Sequence, residues 1–295
     1  MKINKKNATG ALIITNENKD ELNKKHFNFF KKIHNEFAKT KYGKKLEKEI
    51  RYGRYKPKAV SKKIWQEVLG PDVNNLRHHL VMYDIVNNFF KYNDQGTSGE
   101  YIFDYNERKL LIIASLIHDW GESVTGDISA DLKNGKNEKK EFEAAKKIIN
   151  EFTFKYNDLI SKNNLQEAFD NVVIGKNEKL SRAFNAIERI GYLLIGIKAW
   201  EEGSNFYKDN NQFTKNLWWL TTNVFLNQIK ELVKYSDKYP AVKFYLDKNK
   251  KKIDNIFAKM PEEIFLKYKK ERAEKKKQFE EAKKVWVSSR DKIRY

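Results

Sequence analysis

Four prolines and 13 glycines in 295 residues leave long stretches of chain with nothing to interrupt a helix. Apolar side chains fall into those stretches at helical spacing. Leu22, Phe27, Phe30, Ile33 and Phe37 recur among lysines and predict a helix over residues 20–50. After Pro71-Asp-Val-Asn-Asn, a second helix carries Leu80, Met82, Ile85, Val86, Phe89 and Phe90 on a broad apolar face. The unbroken apolar run Leu110–Ile117 predicts a buried helix over 107–119. Phe142, Ala145, Ile148, Ile149 and Phe152 mark the inner face of a charged helix near 138–153, and further helices are expected near 180–201 and over Trp218–Tyr235. Arg51–Lys58 reads as a connector and residues 92–104 as a loop. Ala11–Thr15 alone carries a strand signal, so the expected fold class is all-α.

The last helix is expected over 261–286, with Pro261 in its first turn and acids near its positive end. Glu263/Lys267, Glu271/Lys275 and Glu280/Lys284 are spaced as i,i+4 pairs, and its middle turns look bare of apolar residues, so it is read as projecting into solvent. The lysine runs Lys250–Lys252 and Lys275–Lys277 read as solvated faces. Trp218 and Trp219 read as packing either a core or a homodimer interface.

Composition narrows the chemistry. A 40% hydrophobic and 14% aromatic content suffices for a packed interior. Without cysteine there can be no disulfide, zinc-thiolate site or thiol nucleophile. No secretory h-region is visible, and the longest apolar run is far short of the ~20 residues that cross a bilayer. The expectation is a cytoplasmic protein with no membrane partner. Net charge is +19, spread unevenly. Residues 1–60 carry 17 basic and 6 acidic side chains (+11), residues 61–200 carry 19 and 20 (−1), and residues 201–295 carry 23 and 14 (+9). Basic flanks attract polyanions, so nucleic acid is one expected partner of the flanks. A lysine-rich solvated surface is the plainer reading.

The neutral middle segment holds the groups that carry chemistry. His118 and Asp119 stand side by side at the end of the apolar run, where unpaired charge would be costly. Arg77-His78-His79-Leu80 offers a second imidazole upstream, and Glu188 a second carboxylate downstream. Two histidines and two carboxylates suit Mn, Fe, Co, Ni or Zn with positions left open. Glu122 lies four residues after His118 and faces the same side if the helix continues through Trp120 and Gly121, whose lack of a side chain permits close approach. Glu188 also reads as an exposed helical ion-pair partner. His26 and His34, in the lysine-rich first helix, are expected at the surface.

His78, the pair His118-Asp119, Glu122, the turn Thr125-Gly126-Asp127 and Glu188 together resemble the HD-domain metal-dependent phosphohydrolases. Within them the pattern is similar to the 5'-deoxynucleotidase branch, and Lys139–Ile149 corresponds to that branch's charged helix. The likeness covers roughly residues 70–205. It implies an HD-domain helical bundle with helical extensions: a basic N-terminal extension over 1–65, the phosphohydrolase core over 66–205, and a C-terminal helical region over 206–295. It implies one divalent metal ion (Mn, Co, Fe, Ni, Zn or Mg) on His78, His118, Asp119 and Glu188, with Glu122 and Asp127 as catalytic residues. The first ligand is His78 or His79. The family's apolar spacing fits His78, which is followed by Leu80, Met82, Tyr83, Ile85, Val86, Phe89 and Phe90, whereas counting from His79 brings in Asp84, Asn87 and Lys91.

Glu188 replaces the family's aspartate, with Asn185 and Asp170 as worse-placed substitutes. Arg77 stands where an acid precedes the histidine, and no Arg-Trp substrate motif aligns; Arg51, Arg54 and Trp65 are the nearest material. The expected reaction is attack of a metal-activated water on the phosphorus of a nucleotide or other phosphorylated small molecule, most simply a 5'-(deoxy)nucleoside monophosphate. Triphosphohydrolase or phosphodiesterase action, and a non-catalytic module binding nucleic acid through its flanks, are the alternatives.

Overall fold

The computed structural model describes residues 19–97, 101–128, 135–205 and 211–295. Among them every regular element is helical, so the fold class is all-α; Ala11–Thr15 lies outside the described residues. In chain order the helices are α1 (Lys19–Ala38), α2 (Lys41–Lys48), α3 (Lys62–Leu69), α4 (Asn75–Gly96), α5 (Tyr105–Ile117), α6 (Glu122–Thr125) and α7 (Gly135–Lys155). They continue as α8 (Lys162–Ala168), α9 (Glu178–Asn205), α10 (Asn211–Ser236), α11 (Pro240–Lys248), α12 (Lys250–Lys259) and α13 (Arg272–Ser289). No described helix is long and apolar enough to cross a membrane.

The chain divides into two compact units, residues 1–49 with 74–185, and residues 50–73 with 186–295. These boundaries differ from the expected ones at 65 and 205. The N-terminal helices α1 and α2 fold with the His-Asp segment, and the later division falls inside α9, between Asn185 and Ala186.

In the first unit, the helix expected over 20–50 breaks at Thr40, whose hydroxyl caps α2 by accepting from the Gly43 N–H at 3.0 Å. A side chain at Gly43 would sit 2.3 Å from the Phe37 carbonyl oxygen, so only glycine lets α2 start so close to the end of α1. Phe30, Ile33 and Phe37 are buried as expected, while Phe27 is 44% exposed. His26 and His34 are buried, against expectation: α1 is not a one-sided surface helix, and α5 packs against it.

A capping box starts α5. Asp104 accepts from the Glu107 N–H at 2.9 Å and Glu107 accepts from the Asp104 N–H at 3.0 Å. Leu111, Ile112, Ile113, Leu116 and Ile117 of α5 are fully buried, each worth about 1.5–3 kcal/mol. α4 packs on α5 and extends five residues into the expected loop, because Asp94 in its last turns pairs with the buried Arg108 of α5. Of the expected face of α4, Met82, Ile85, Val86, Phe89 and Phe90 are buried and Leu80 is 42% exposed. Leu80 stands two residues from Met82, off the 3–4 residue stripe.

The second unit has its own core of Trp65, Leu69, Phe213, Leu217 and Leu220, with Trp219 packed half-buried against it. The connector at 51–58 is part of that core, since Tyr52 and Tyr55 are buried. Trp218 lies against Trp200 with ring centroids 5.2 Å apart, so packing accounts for both tryptophans. The expected solvent-projecting helix over 261–286 is replaced by a tighter turn of helix over Glu262–Glu271, then α13. The break is at Lys269, which adopts φ 45°. α13 packs against α10 and buries Lys275, Phe279, Ala282 and Trp286. Those four recur at spacings of 4, 3 and 4, one face of the helix, on which the Lys275 Nζ lies over the Tyr268 ring, 5.4 Å from its centre.

Candidate metal centre

Two helix ends in the first unit set the position of the site. α4 begins one turn before His78, where the Asn74 side chain accepts from the Arg77 N–H at 2.9 Å and donates to the Glu47 carbonyl at 2.7 Å. α5 ends at Ile117. The His118 N–H still reaches the Ala114 carbonyl at 3.0 Å, and then the chain tightens into three-residue turns, Trp120 to Ile117 (3.1 Å), Glu122 to Asp119 (3.0 Å) and Ser123 to Trp120 (3.2 Å). The helix therefore ends close to its expected limit at 119 and does not run on through Trp120 and Gly121, the condition under which Glu122 would face the side of His118.

Trp120 fixes this turn. Its ring stacks on Phe37 at 4.0 Å and 5°, and meets Phe152 edge-on at 5.2 Å. Gly121 is held against α7: a Cβ there would lie 2.3 Å from the Glu141 carbonyl oxygen. The close approach anticipated at this glycine is thus made by backbone.

The result is a buried group of three ligating atoms, one each from His78, His118 and Asp119, all within 4.8 Å of one another. Asp119 Oδ2 is 3.2 Å from His118 Nε2 and 3.6 Å from His78 Nε2. With metal–ligand bonds of ~2.1 Å, neighbouring ligand atoms stand about 3.0 Å apart in an octahedron and about 3.4 Å in a tetrahedron. The two separations from Asp119 Oδ2 lie close to the edges of such a polyhedron, and the donor set of two imidazoles and one carboxylate suits a divalent transition metal. Phe184, at the start of α9, packs edge-on against His118 at 5.5 Å and closes one side.

No protein-family model, characterised protein or solved structure matches the chain.

Of the two adjacent histidines, His78 joins the cluster. His79 turns into the core, fully buried, with its ring 5.9 Å from His34 and 6.1 Å from Phe37. Burial holds His79 well below the ordinary histidine range, and neighbouring His34 and His118 push in the same direction. Burial likewise lowers His34. All five histidines of the chain lie in the first unit and are at most 8% exposed, so each is sheltered from solvent rather than displayed.

Glu122, the expected acid/base, is buried and accepts a hydrogen bond from Asn75 Nδ2 at 3.0 Å. Asn75 and His78 are one turn apart on α4, so the residue that holds the Glu122 carboxylate shares a helix face with His78. Asn75 was not among the expected site residues. Its signal in the sequence is its position three residues before His78, on the same face of the helix. Asp127 is exposed, after the Gly126 turn at φ 81°, and is not in the group of three. Asp170, the substitute ligand, is paired with Lys176 at 2.7 Å. Glu188 is half-buried on the part of α9 that belongs to the second unit, and it is not a member of the three-residue group.

Proposed function

We propose that this protein is a divalent-metal-dependent phosphohydrolase acting on nucleotides, most simply 5'-(deoxy)nucleoside monophosphates. The observation that carries the reading is the convergence of two buried imidazole nitrogens on Asp119 Oδ2, with a second buried carboxylate, Glu122, held by Asn75, which stands one turn before His78 on α4. When bound by His78, His118 and Asp119, a divalent ion supplies Lewis acidity towards water and a phosphoryl oxygen. Glu122 then has one task, to accept a proton from the attacking water and return it to the leaving oxygen. Asn75 keeps that carboxylate in place. The choice of nucleotides rests on the likeness of His78, His118-Asp119, Glu122 and Thr125-Gly126-Asp127 to the HD-domain pattern, as do the catalytic role of Asp127 and the ligand role of Glu188.

The test is to strip the purified protein with chelator, reload it with Mn, Co, Ni, Zn or Mg, and screen phosphorylated nucleosides. Metal-dependent release of orthophosphate is expected, abolished in Asp119→Ala together with metal binding. Release of tripolyphosphate or opening of a cyclic nucleotide would assign the same centre to a different phosphoryl linkage. A protein that binds no divalent ion, or binds one and turns over no substrate, refutes the proposal. Metal affinity of Glu188→Ala, measured beside Asp119→Ala, decides whether the resemblance assigns the fourth ligand correctly.

A second reading has a specific observation behind it. The second unit carries 31 basic and 17 acidic side chains, +14 of the chain's +19. Such a charge attracts polyanions, and binding of nucleic acid there would weaken steeply with salt and survive Asp119→Ala.

A further inference from the structure

Asn75 is fully buried, and its two polar atoms are in different situations. Nδ2 donates to Glu122 Oε2 at 3.0 Å, which an ionised carboxylate requires of the amide, so the orientation of the group is determined by its partner. Oδ1 is buried and accepts no hydrogen bond from any described protein group. A buried carbonyl oxygen without a donor costs about 1–3 kcal/mol unless something fills the role. The neighbours are the Glu122 carboxylate and, one turn along the same helix face, the cluster of His78, His118 and Asp119.

We infer that Asn75 is a positioning residue for the attacking water, Oδ1 accepting one of its hydrogens while the Glu122 carboxylate accepts the other. This deepens the hydrolase reading and rests on it. A water whose two hydrogens are both engaged has only its lone pairs left to present, and the acceptors decide their direction. The same amide does a second job at the other end, since its donated hydrogen bond keeps Glu122 from swinging away. Balance is simple. The water oxygen bonds to phosphorus, the ester P–O bond breaks, and the water's proton passes to Glu122 and then to the leaving oxygen.

Two measurements test this, one of them independent of turnover. A crystal structure of the Mn-loaded protein is expected to show an ordered water within hydrogen-bonding distance of both Asn75 Oδ1 and a Glu122 oxygen. An Oδ1 that is dry, or that is bonded to a protein group, overturns the inference. In kinetics, Asn75→Ala and Asn75→Asp are expected to lower kcat by about 10- to 100-fold, with KM and metal affinity within about twofold of wild type. An unchanged kcat, or a metal affinity that falls in step with it, marks a scaffold role and also overturns it. Should either variant fail to fold, Asn75→Ser, shorter and still polar, takes its place. A wild-type protein without turnover sinks the hydrolase reading, and the crystallographic result then judges Asn75 separately.

Discussion

Replacing His26 with phenylalanine is expected to flatten the acid side of the stability curve. His26 is 4% exposed on α1, with its ring stacked on Tyr105 at 4.9 Å and 23°. Burial, with smaller contributions from the nearby charges of Arg108 and Lys109, lowers it from 6.5 to about 4. In the unfolded chain the imidazole takes up a proton near pH 6.5, whereas in the folded protein it stays neutral down to about 4. The unfolded state therefore binds more protons between these values. The stabilisation is complete above about pH 6.5 and is lost as pH falls through that window.

At roughly 1.4 kcal/mol per pH unit, the loss from this one residue is about 2–3 kcal/mol by pH 4.5. His26→Phe keeps the stacked ring and removes the titration. Urea unfolding followed by far-UV circular dichroism, with chelator present, gives the stability of both proteins at pH 7.5 and 4.5. Their difference in stability is expected to shift by about 2–3 kcal/mol in favour of the variant. Carboxylates and the other histidines titrate in both proteins and cancel. A difference that is the same at both pH values refutes the argument that His26 is held neutral.

Two further perturbations probe the packing that holds the site. Gly121→Ala places a methyl group 2.3 Å from the Glu141 carbonyl, so α7 has to retreat, at a cost of about 1–3 kcal/mol. Differential scanning fluorimetry is expected to show a fall of about 2–4 °C per kcal/mol, and calorimetry a weakened metal affinity, because Asp119 and Glu122 flank the glycine; a variant matching wild type in both refutes the close approach. Asp94→Ala strands the buried Arg108, which bonds both Asp94 oxygens at 2.5 and 3.1 Å, and is expected to cost about 3–5 kcal/mol in urea unfolding. Asp94→Ala with Arg108→Met is expected to recover most of that loss; a double variant as unstable as the single one argues against a stranded charge as the cause.

What could be read from the sequence was local. The apolar run Leu110–Ile117 specified a buried helix, and the spacing of Phe142, Ala145, Ile148, Ile149 and Phe152 gave α7 its inner face. The apolar spacing that the family resemblance implies favoured His78 over His79, and His78 is the histidine found in the group of three. Failures occurred where burial depends on distant partners. His26 and His34 lie among lysines in sequence, but α5 and His79 cover them in space. The face of α13 was missed because it includes Lys275, whose charge hides an aliphatic stem that can be buried. The break at Lys269 is a left-handed residue that no glycine announces.

The same distinction explains why the group of His78, His118 and Asp119 is legible in the sequence although its geometry is not. Its three members are delivered by one helix start and one helix end, both written in short stretches of sequence: the Asn74 cap ahead of His78, and the close of α5 at His118-Asp119. Two such ends, meeting where His78 Nε2 lies 3.6 Å from Asp119 Oδ2, need long-range anchoring, which Phe37 and Phe152 provide by clamping Trp120. Neither aromatic is near the ligands in sequence, so the doublet could be recognised while its anchor could not. Asn75 falls between these cases. One turn from His78 on the same face, it was within reach of periodicity, but its partner Glu122 is 47 residues away and only the folded chain brings them together.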